Sequence, residues 1–424
     1  MANDPYDSAK SSAAERPYDF VAVGLSALGT ICVIREPYGP ENDYKADALL
    51  FWEPEFATFA TLSCSVLARW GRNVALLTSI ASDSNGLLLR RMLEERKVRL
   101  LFARCSQRTA RQLSISPLRS SIRYNLDLQV QRKDLTVAEK RDLRTIARDI
   151  TSAKSVAFDK YELDVMNEIF SSESWTTARR HPLVLFETGS RPSSDILAGS
   201  RTNSTVLPEF AHLEHIDVFT TTWEWILAVA SRFGKQRSLD KYLAHPPGSW
   251  QTGDGSERVF RSLVSTVFPT IMPRKSKKPR LIIVTLGPQG CYVVYRHPRN
   301  LSRYSVLHRP VKRRALTTLS CLGAGDMFRA VLIESFLSDT PLIQRDDASV
   351  AFWQRSKVME AVDLAQYGVC RWLERNAHNS NYFGEFPDSF LRLRSDWEEG
   401  RAVRTMGSAH NLVHRSGLEG TVAL

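Results

Sequence analysis

Long apolar runs are the first thing this 424-residue chain lacks. No stretch approaches the roughly 18 uncharged apolar residues that cross a bilayer. Residues Met1 to Pro17 are polar, without the basic start and apolar core of a signal peptide. A soluble, cytoplasmic protein with no membrane partner is therefore expected. Cysteine is scarce as well. The six, Cys32, Cys64, Cys105, Cys291, Cys321 and Cys370, lie far apart and form no C-x-x-C pair, which excludes a zinc ribbon or a disulfide framework and leaves reduced core residues. Among nine histidines only His410 and His414 have i, i+4 spacing, and no Glu follows His410 as a zinc-protease helix requires. His212 and His215 flank a strand start and read as surface or packing residues.

Acid is missing locally. From Ile271 to Ser320 there are twelve Arg or Lys residues and no Asp or Glu, in a chain whose net charge is +11. Such a stretch attracts phosphates or nucleic acid, and the cluster Arg274 to Arg280 also resembles a nuclear localisation patch. The stretch lacks the interleaved aromatic platform of single-strand binders, so a nucleic-acid partner is not expected.

The remaining composition, 43% hydrophobic, supports a large core. Short β-branched runs alternate with helical patterns. Phe20 to Gly24, Val74 to Ile80, Ser155 to Asp159, Leu183 to Glu187, Ile216 to Thr220 and Leu281 to Thr285 read as buried strands. Phe56 to Trp70 is apolar at helical spacing and ends at Gly71, where a left-handed residue is wanted. Asp83-Ser84-Asn85-Gly86 opens a basic helix over Leu87 to Lys97, and Thr136 to Glu139 forms a capping box. Trp223 and Trp225 start a further helix, where packing is their ordinary role, as it is for Trp250 in its loop. This alternation implies a mostly parallel sheet covered on both faces. Alternating segments at about 30–50 and 100–132 suggest a small antiparallel lid, and 236–280 reads as a polar, basic insertion. The domain is expected over 18–376, between a polar tail at 1–17 and a partly disordered extension at 377–424.

The chemistry-bearing motif is Gly323-Ala324-Gly325-Asp326, which opens an apolar helix running to Leu337. Glycines let backbone amides face an incoming group without a Cβ in the way, and the helix N-terminus adds partial positive charge suited to phosphate. Asp326 fits both an N-cap and a proton acceptor.

With Phe328, that turn looks like the second signature of the PfkB/ribokinase family of carbohydrate and nucleoside kinases. Val284-Thr285-Leu286-Gly287-Pro288-Gln289-Gly290 resembles the family's nucleotide-binding strand and turn. Leu67 to Gly71 with Asp83 to Gly86 resembles the end of its first helix and the following turn, and Phe186 to Pro192 resembles its D-x-N-x-R segment, with Glu187 for Asp and Gly189 for Asn. The pieces run in family order from Phe20 to Trp372. The resemblance implies a ribokinase-like α/β/α fold, ATP and Mg²⁺ as cofactors, and a small hydroxyl-bearing acceptor. It also implies Asp326 as general base, Gly323, Ala324 and Gly325 as the anion hole, and Thr285, Gly287 and Gly290 along the nucleotide. Glu224 would hold Mg²⁺ through water, and two copies would pair through the lid.

The acceptor end departs from the family pattern. Gly29 stands where an acidic residue holds sugar hydroxyls, Ala57-Thr58 replaces a Gly-Gly pair, and Leu62 replaces an Asn. The N-x-x-E segment reads Thr222-Trp223-Glu224-Trp225, and Ser320-Cys321-Leu322 replaces D-T-T. Unmatched buried polar groups cost about 1–3 kcal/mol, so the alternatives are an unconventional acceptor or a ribokinase-like pseudoenzyme that binds a nucleotide or a partner.

Overall fold

The computed structural model describes residues 18–34, 49–56, 58–105, 108–117, 124–128, 135–189, 212–232, 281–296, 304–311, 323–338, 343–345, 351–353, 355–376 and 389–400. The insertion at 236–280, the basic clusters, Cys321, Trp250 and the His410/His414 pair lie outside these residues.

The chain opens with β1 (Phe20–Val23), which runs almost directly into β2 (Ala27–Ile34); β3 (Leu49–Phe56) and α1 (Phe59–Arg69) follow. Next come β4 (Val74–Ile80), α2 (Ser84–Glu95), β5 (Arg99–Cys105), β6 (Ala110–Pro117) and β7 (Tyr124–Leu128). Then α3 (Val137–Ser152), β8 (Ser155–Asp159), α4 (Leu163–Phe170), α5 (Glu173–Thr176), β9 (Leu183–Glu187), β10 (Val218–Thr222) and α6 (Trp223–Arg232) complete the middle of the chain. The last part holds β11 (Leu281–Thr285), β12 (Cys291–Arg296), β13 (Tyr304–Arg309), α7 (Ala324–Ser338), the short pair β14 (Ile343–Arg345) and β15 (Ala351–Trp353), and α8 (Arg355–Asn376). A helix over 390–400, α9, closes the described chain.

Nine strands form one sheet in the order β13-β12-β11-β10-β9-β8-β1-β4-β5, parallel from β5 to β11 and antiparallel at β12 and β13. Strands buried on both faces need no polar alternation, and β1, β4 and β8 are buried at every residue. Successive residues feed opposite cores. Phe20 and Ala22 face α1, α2, α7, α8 and α9, while Val21 and Val23 face α3, α4, α5 and α6. The expected three layers are therefore present.

Strand order reverses beside β1, with β4 on one side and β8 on the other. Open α/β sheets bind ligands at such a reversal, outside the carboxyl ends of the strands. Over it stands a second sheet, β3-β2-β6-β7. This lid consists of two antiparallel pairs joined by a parallel pair, β2 with β6. The segment from residue 100 that sequence alternation assigned to the lid is in part β5, an edge strand paired parallel to β4 in the main sheet. Both of its faces are covered, with Leu100 packed on one core and Leu101 and Phe102 on the other.

Asp83 ties the lid to the main layer. Its carboxylate caps α2 by accepting from the Gly86 amide at 2.8 Å, and it also accepts from the Thr109 hydroxyl at 2.6 Å and the Thr109 amide at 3.0 Å, just before β6. Burial alone would raise this carboxyl's pKa, but the Thr109 and Gly86 bonds outweigh it and hold Asp83 below the usual carboxylate range. A depressed folded pKa contributes stability that is fully present above the unfolded value of about 3.9 and disappears as pH falls through the folded value. Asp83→Ala should thus cost about 1 kcal/mol at pH 7, a difference that shrinks in urea titrations below pH about 4. A cost that stays constant down to pH 2 would contradict the assignment.

Within the C-terminal extension, residues 390–400 are helical. Phe390, Leu393 and Trp397 on α9 are buried in the core, and the Phe390 ring lies 5.5 Å from Trp70. Their 3–4 spacing was the available signal. Trp223 and Trp225 are core residues. Cys64, Cys291 and Cys370 are buried and free, as expected.

Candidate functional site

Helix α7 is the central element of the site. Residues Met327 to Phe336 are all buried, so the helix runs through the interior and does not lie on it. Gly323 at its start has φ +76°, a conformation that glycine adopts without steric cost. The first i→i−4 bond runs from the Met327 amide to the Gly323 carbonyl at 2.8 Å. The amides of Ala324, Gly325 and Asp326 precede it and have no intrahelical acceptor. Gly325 is exposed, and Gly323, Ala324 and Asp326 are half-buried, so this turn borders solvent while the rest of the helix does not.

Asp326 is tied into a charged cluster. Arg329 Nη1 donates to Asp326 Oδ1 at 2.9 Å, and Arg329 Nη2 pairs with Glu187 Oε1 at the carboxyl end of β9. Side chains on a helix tilt toward its N-terminus, which carries the Arg329 guanidinium back over Gly325 and toward the strand ends. It also lies 5.5 Å from the Phe59 ring centroid, over its face. Glu187 accepts from the Gly189 amide at 2.8 Å and from the Thr220 hydroxyl on β10. Burial pushes the Glu187 carboxyl above its ordinary range, and the Asp326 charge adds to that push. The Arg329 guanidinium, the Thr220 hydroxyl and the Gly189 amide pull the other way.

The neighbouring strand ends are braced in the same manner. Asp159, the last residue of β8, accepts from the Leu25 amide at 2.9 Å and the Tyr161 amide at 2.8 Å. A Cβ on Gly24 would lie 2.3 Å from the Asp159 carboxylate, so glycine is required for this contact at the strand-order reversal. The Thr58 hydroxyl donates to the Leu25 carbonyl and bonds the Thr61 hydroxyl at 2.6 Å.

Of the residues expected at a nucleotide, Thr285 ends β11 in register with Thr222 and donates to the Thr221 carbonyl at 3.3 Å. Gly287 and Gly290 have φ +59° and +94° and shape the turn from β11 into β12. Glu224 is exposed in the first turn of α6. Gly29 pairs with Glu55 and Gln112 within the lid, and Leu62 is core. Sequence reasoning singled out Asp326 but not Arg329, Asp159 or Thr220. Arg329 was discoverable, because a residue three positions after Asp326 and four after Gly325 shares their helix face. His212 and His215 pack their rings 5.4 and 4.7 Å from Phe170, in agreement with a packing role.

No protein-family model matches the chain, and no curated protein does. Solved structures do. A putative ribokinase from Agrobacterium tumefaciens superposes with a TM-score of 0.59 at 12% identity, covering 91% of this chain and 99% of that one. Arabidopsis thaliana ribokinase, complexed with ribose and ATP, gives 0.54 at 11% identity over 89% and 99% of the two chains. A Methanocaldococcus jannaschii nucleoside kinase, an archaeal member of the ribokinase family, gives 0.52 at 12% identity over 90% and 98%. With its nine-stranded sheet, its lid over the strand reversal and its glycine turn at the head of a buried helix, the chain has the ribokinase-like fold.

Proposed function

We propose that this protein is an ATP- and Mg²⁺-dependent phosphotransferase acting on a hydroxyl of a small carbohydrate-like or nucleoside-like acceptor. The observation that carries this reading is the placement of Asp326, half-exposed at the head of α7 and linked through Arg329 to the carboxyl end of β9. Phosphoryl transfer needs mainly positioning and charge neutralisation. Asp326 takes the acceptor's hydroxyl proton, and the oxygen forms a bond to the γ-phosphorus. The bond from that phosphorus to the β,γ-bridging oxygen breaks, releasing ADP. The amides of Ala324, Gly325 and Asp326 receive the negative charge on the transferred group, and Thr285 and the Gly287 turn border the nucleotide.

Mg²⁺ in such sites keeps most of its waters and takes one or two carboxylates. The exposed Glu224 carboxylate, two residues beyond the end of β10, fits water-mediated contact of that kind. The ion would neutralise phosphate charge there. The missing hydroxyl ligands at Gly29 and Leu62 argue for an acceptor unlike ribose in its contacts.

The test is ADP release from purified protein with ATP and Mg²⁺ over a panel of sugars, sugar phosphates and nucleosides, beside Asp326→Asn. Nucleotide binding without turnover on any acceptor would favour the alternative, a nucleotide-binding pseudoenzyme, a reading supported by the degenerate Thr222 to Trp225 segment. Gly325→Ala separates site from scaffold. The nearest described atoms to a Cβ there belong to the Arg329 guanidinium, at 3.4 Å, so the fold should hold, with a helical gain of up to about 1 kcal/mol. Turnover should nevertheless drop about tenfold or more, because the added methyl holds the phosphoryl group away from the amides of the turn. Unchanged turnover would remove this turn from the anion hole.

A further inference from the structure

Arg329 has no counterpart among the residues that the ribokinase resemblance assigns, yet it makes three directed contacts at the head of α7. It is 7% exposed, donates to Asp326 at 2.9 Å, pairs with Glu187 and lies over Phe59. Glu187 is in turn fixed by Gly189 at 2.8 Å and by Thr220. The result is a chain of located groups from β10 through β9 and α7 to the Asp326 carboxylate.

Resting on the phosphotransferase reading, we propose that Arg329 is a positioning residue: anchored from behind by Glu187, its guanidinium aims the Asp326 carboxylate at the acceptor hydroxyl. A purely structural role accounts for less. The buried charge of Glu187 needs a cation, and the Glu187–Arg329 pair alone supplies it. The arm to Asp326 goes beyond what Glu187 requires, because it ends on a second carboxylate, 24% exposed at the head of α7. It fixes the direction of one Asp326 oxygen at the site's mouth. The planar fork of an arginine can hold two carboxylates in fixed directions at once, whereas a lysine ammonium acts as a point charge. A cation close to a helix N-terminus is also opposed by the helix dipole, and the two flanking carboxylates offset this.

The arrangement allows positioning to be tested apart from electrostatics. Glu187, Arg329 and Asp326 together carry a net charge of −1, and the double variant Glu187→Gln/Arg329→Met leaves Asp326 with the same −1. Its effect on phosphate attraction should therefore be small, while the brace is gone. With the acceptor found in the panel, or with water as acceptor, the double variant should keep its KM for ATP within about twofold and lose roughly 10- to 100-fold in kcat, the scale of a misplaced catalytic group. Arg329→Lys keeps the charge and most of the volume, guards against a folding failure in the double variant, and should fall between the two. Arg329→Met alone leaves the buried Glu187 without its cation and should destabilise the fold more than the double variant does. A double variant with wild-type kcat would overturn the positioning role, even while sensitivity to Asp326→Asn upheld the phosphotransferase reading. Wild-type protein that turns over no ATP, with Asp326→Asn indistinguishable from it, would overturn both.

Discussion

Asp326→Asn should leave the protein folded and able to bind nucleotide while lowering phosphoryl transfer about 10²- to 10⁴-fold, the usual contribution of a positioned general base. Asparagine keeps the shape and can still offer Arg329 an oxygen, so the bond now 2.9 Å long has a replacement acceptor. What it cannot do near neutral pH is take a proton. The substitution also removes one negative charge beside the phosphates, so affinity for ATP should hold or rise. A fall in kcat with KM unchanged or lower marks an interaction made in the transition state, and no unfolding effect gives that combination. Steady-state ADP release with matched calorimetric ATP titrations would show it. Loss of ATP binding in parallel with turnover would point to a scaffold role for Asp326.

Gly290→Ala is expected to destabilise the fold strongly. Gly290 sits at φ +94°, ψ −132°, a region that is essentially glycine's alone. An added Cβ would fall 2.1 Å from the Arg309 carbonyl oxygen and 2.9 Å from Pro310 Cα, both backbone atoms that cannot swing aside. That backbone is held, since the Gln366 amide donates to the same Arg309 carbonyl at 2.8 Å and the Arg309 guanidinium pairs with Asp363 on α8. Strain of about 1–3 kcal/mol and overpacking of about 1–3 kcal/mol combine to roughly 4 kcal/mol. Gly287→Ala is the control. Its φ is +59°, but nothing lies within 4 Å of an added Cβ, so only the left-handed backbone cost of about 1–2 kcal/mol applies. Urea midpoints should rank wild type above Gly287→Ala and both well above Gly290→Ala. Equal midpoints for the two variants would mean that the close approach of the two turns is not as described. Gly290 thus acts on the turn between β11 and β12 through its geometry.

Much of the sheet was legible because parallel strands announce themselves as short apolar runs with sharp ends. Val74 to Ile80, Ser155 to Asp159, Leu183 to Glu187 and Leu281 to Thr285 have the expected limits. Caps were equally readable. Thr136 and Glu139 form the reciprocal capping box, and Asp83 bonds the Gly86 amide. The lid was less so, since the alternating segment from residue 100 begins with β5, whose two faces pack on the two cores. Local pattern carries no information about which sheet a strand joins. In the site, Asp326 and the glycines stood out because their chemistry is local to one turn. Glu187 and Arg329 lie 142 residues apart in sequence and meet only through the packing of α7 against the strand ends. Asp159 likewise reads as the end of a strand, and its grip on Leu25 appears only once β1 and β8 are neighbours.

Helix α7 is apolar or enclosed on every side, so it lacks the greasy-against-wet contrast by which most helices find their rotation. Its two buried charges serve as an index in its place. Arg329 meets Glu187 near the N-terminal end, and Glu334 receives a two-nitrogen grip from Arg72, at 2.9 Å from Nε and 2.6 Å from Nη2, nearer the other end. Five residues separate them, about 140° around the axis, so together they allow one azimuth and one height. A slip by a single residue would turn the helix about 100° and strand both charges in the interior without partners. The placement of Asp326 at the head of α7 is therefore set partly from eight residues away, about 12 Å along the axis, by an arginine on the loop before β4.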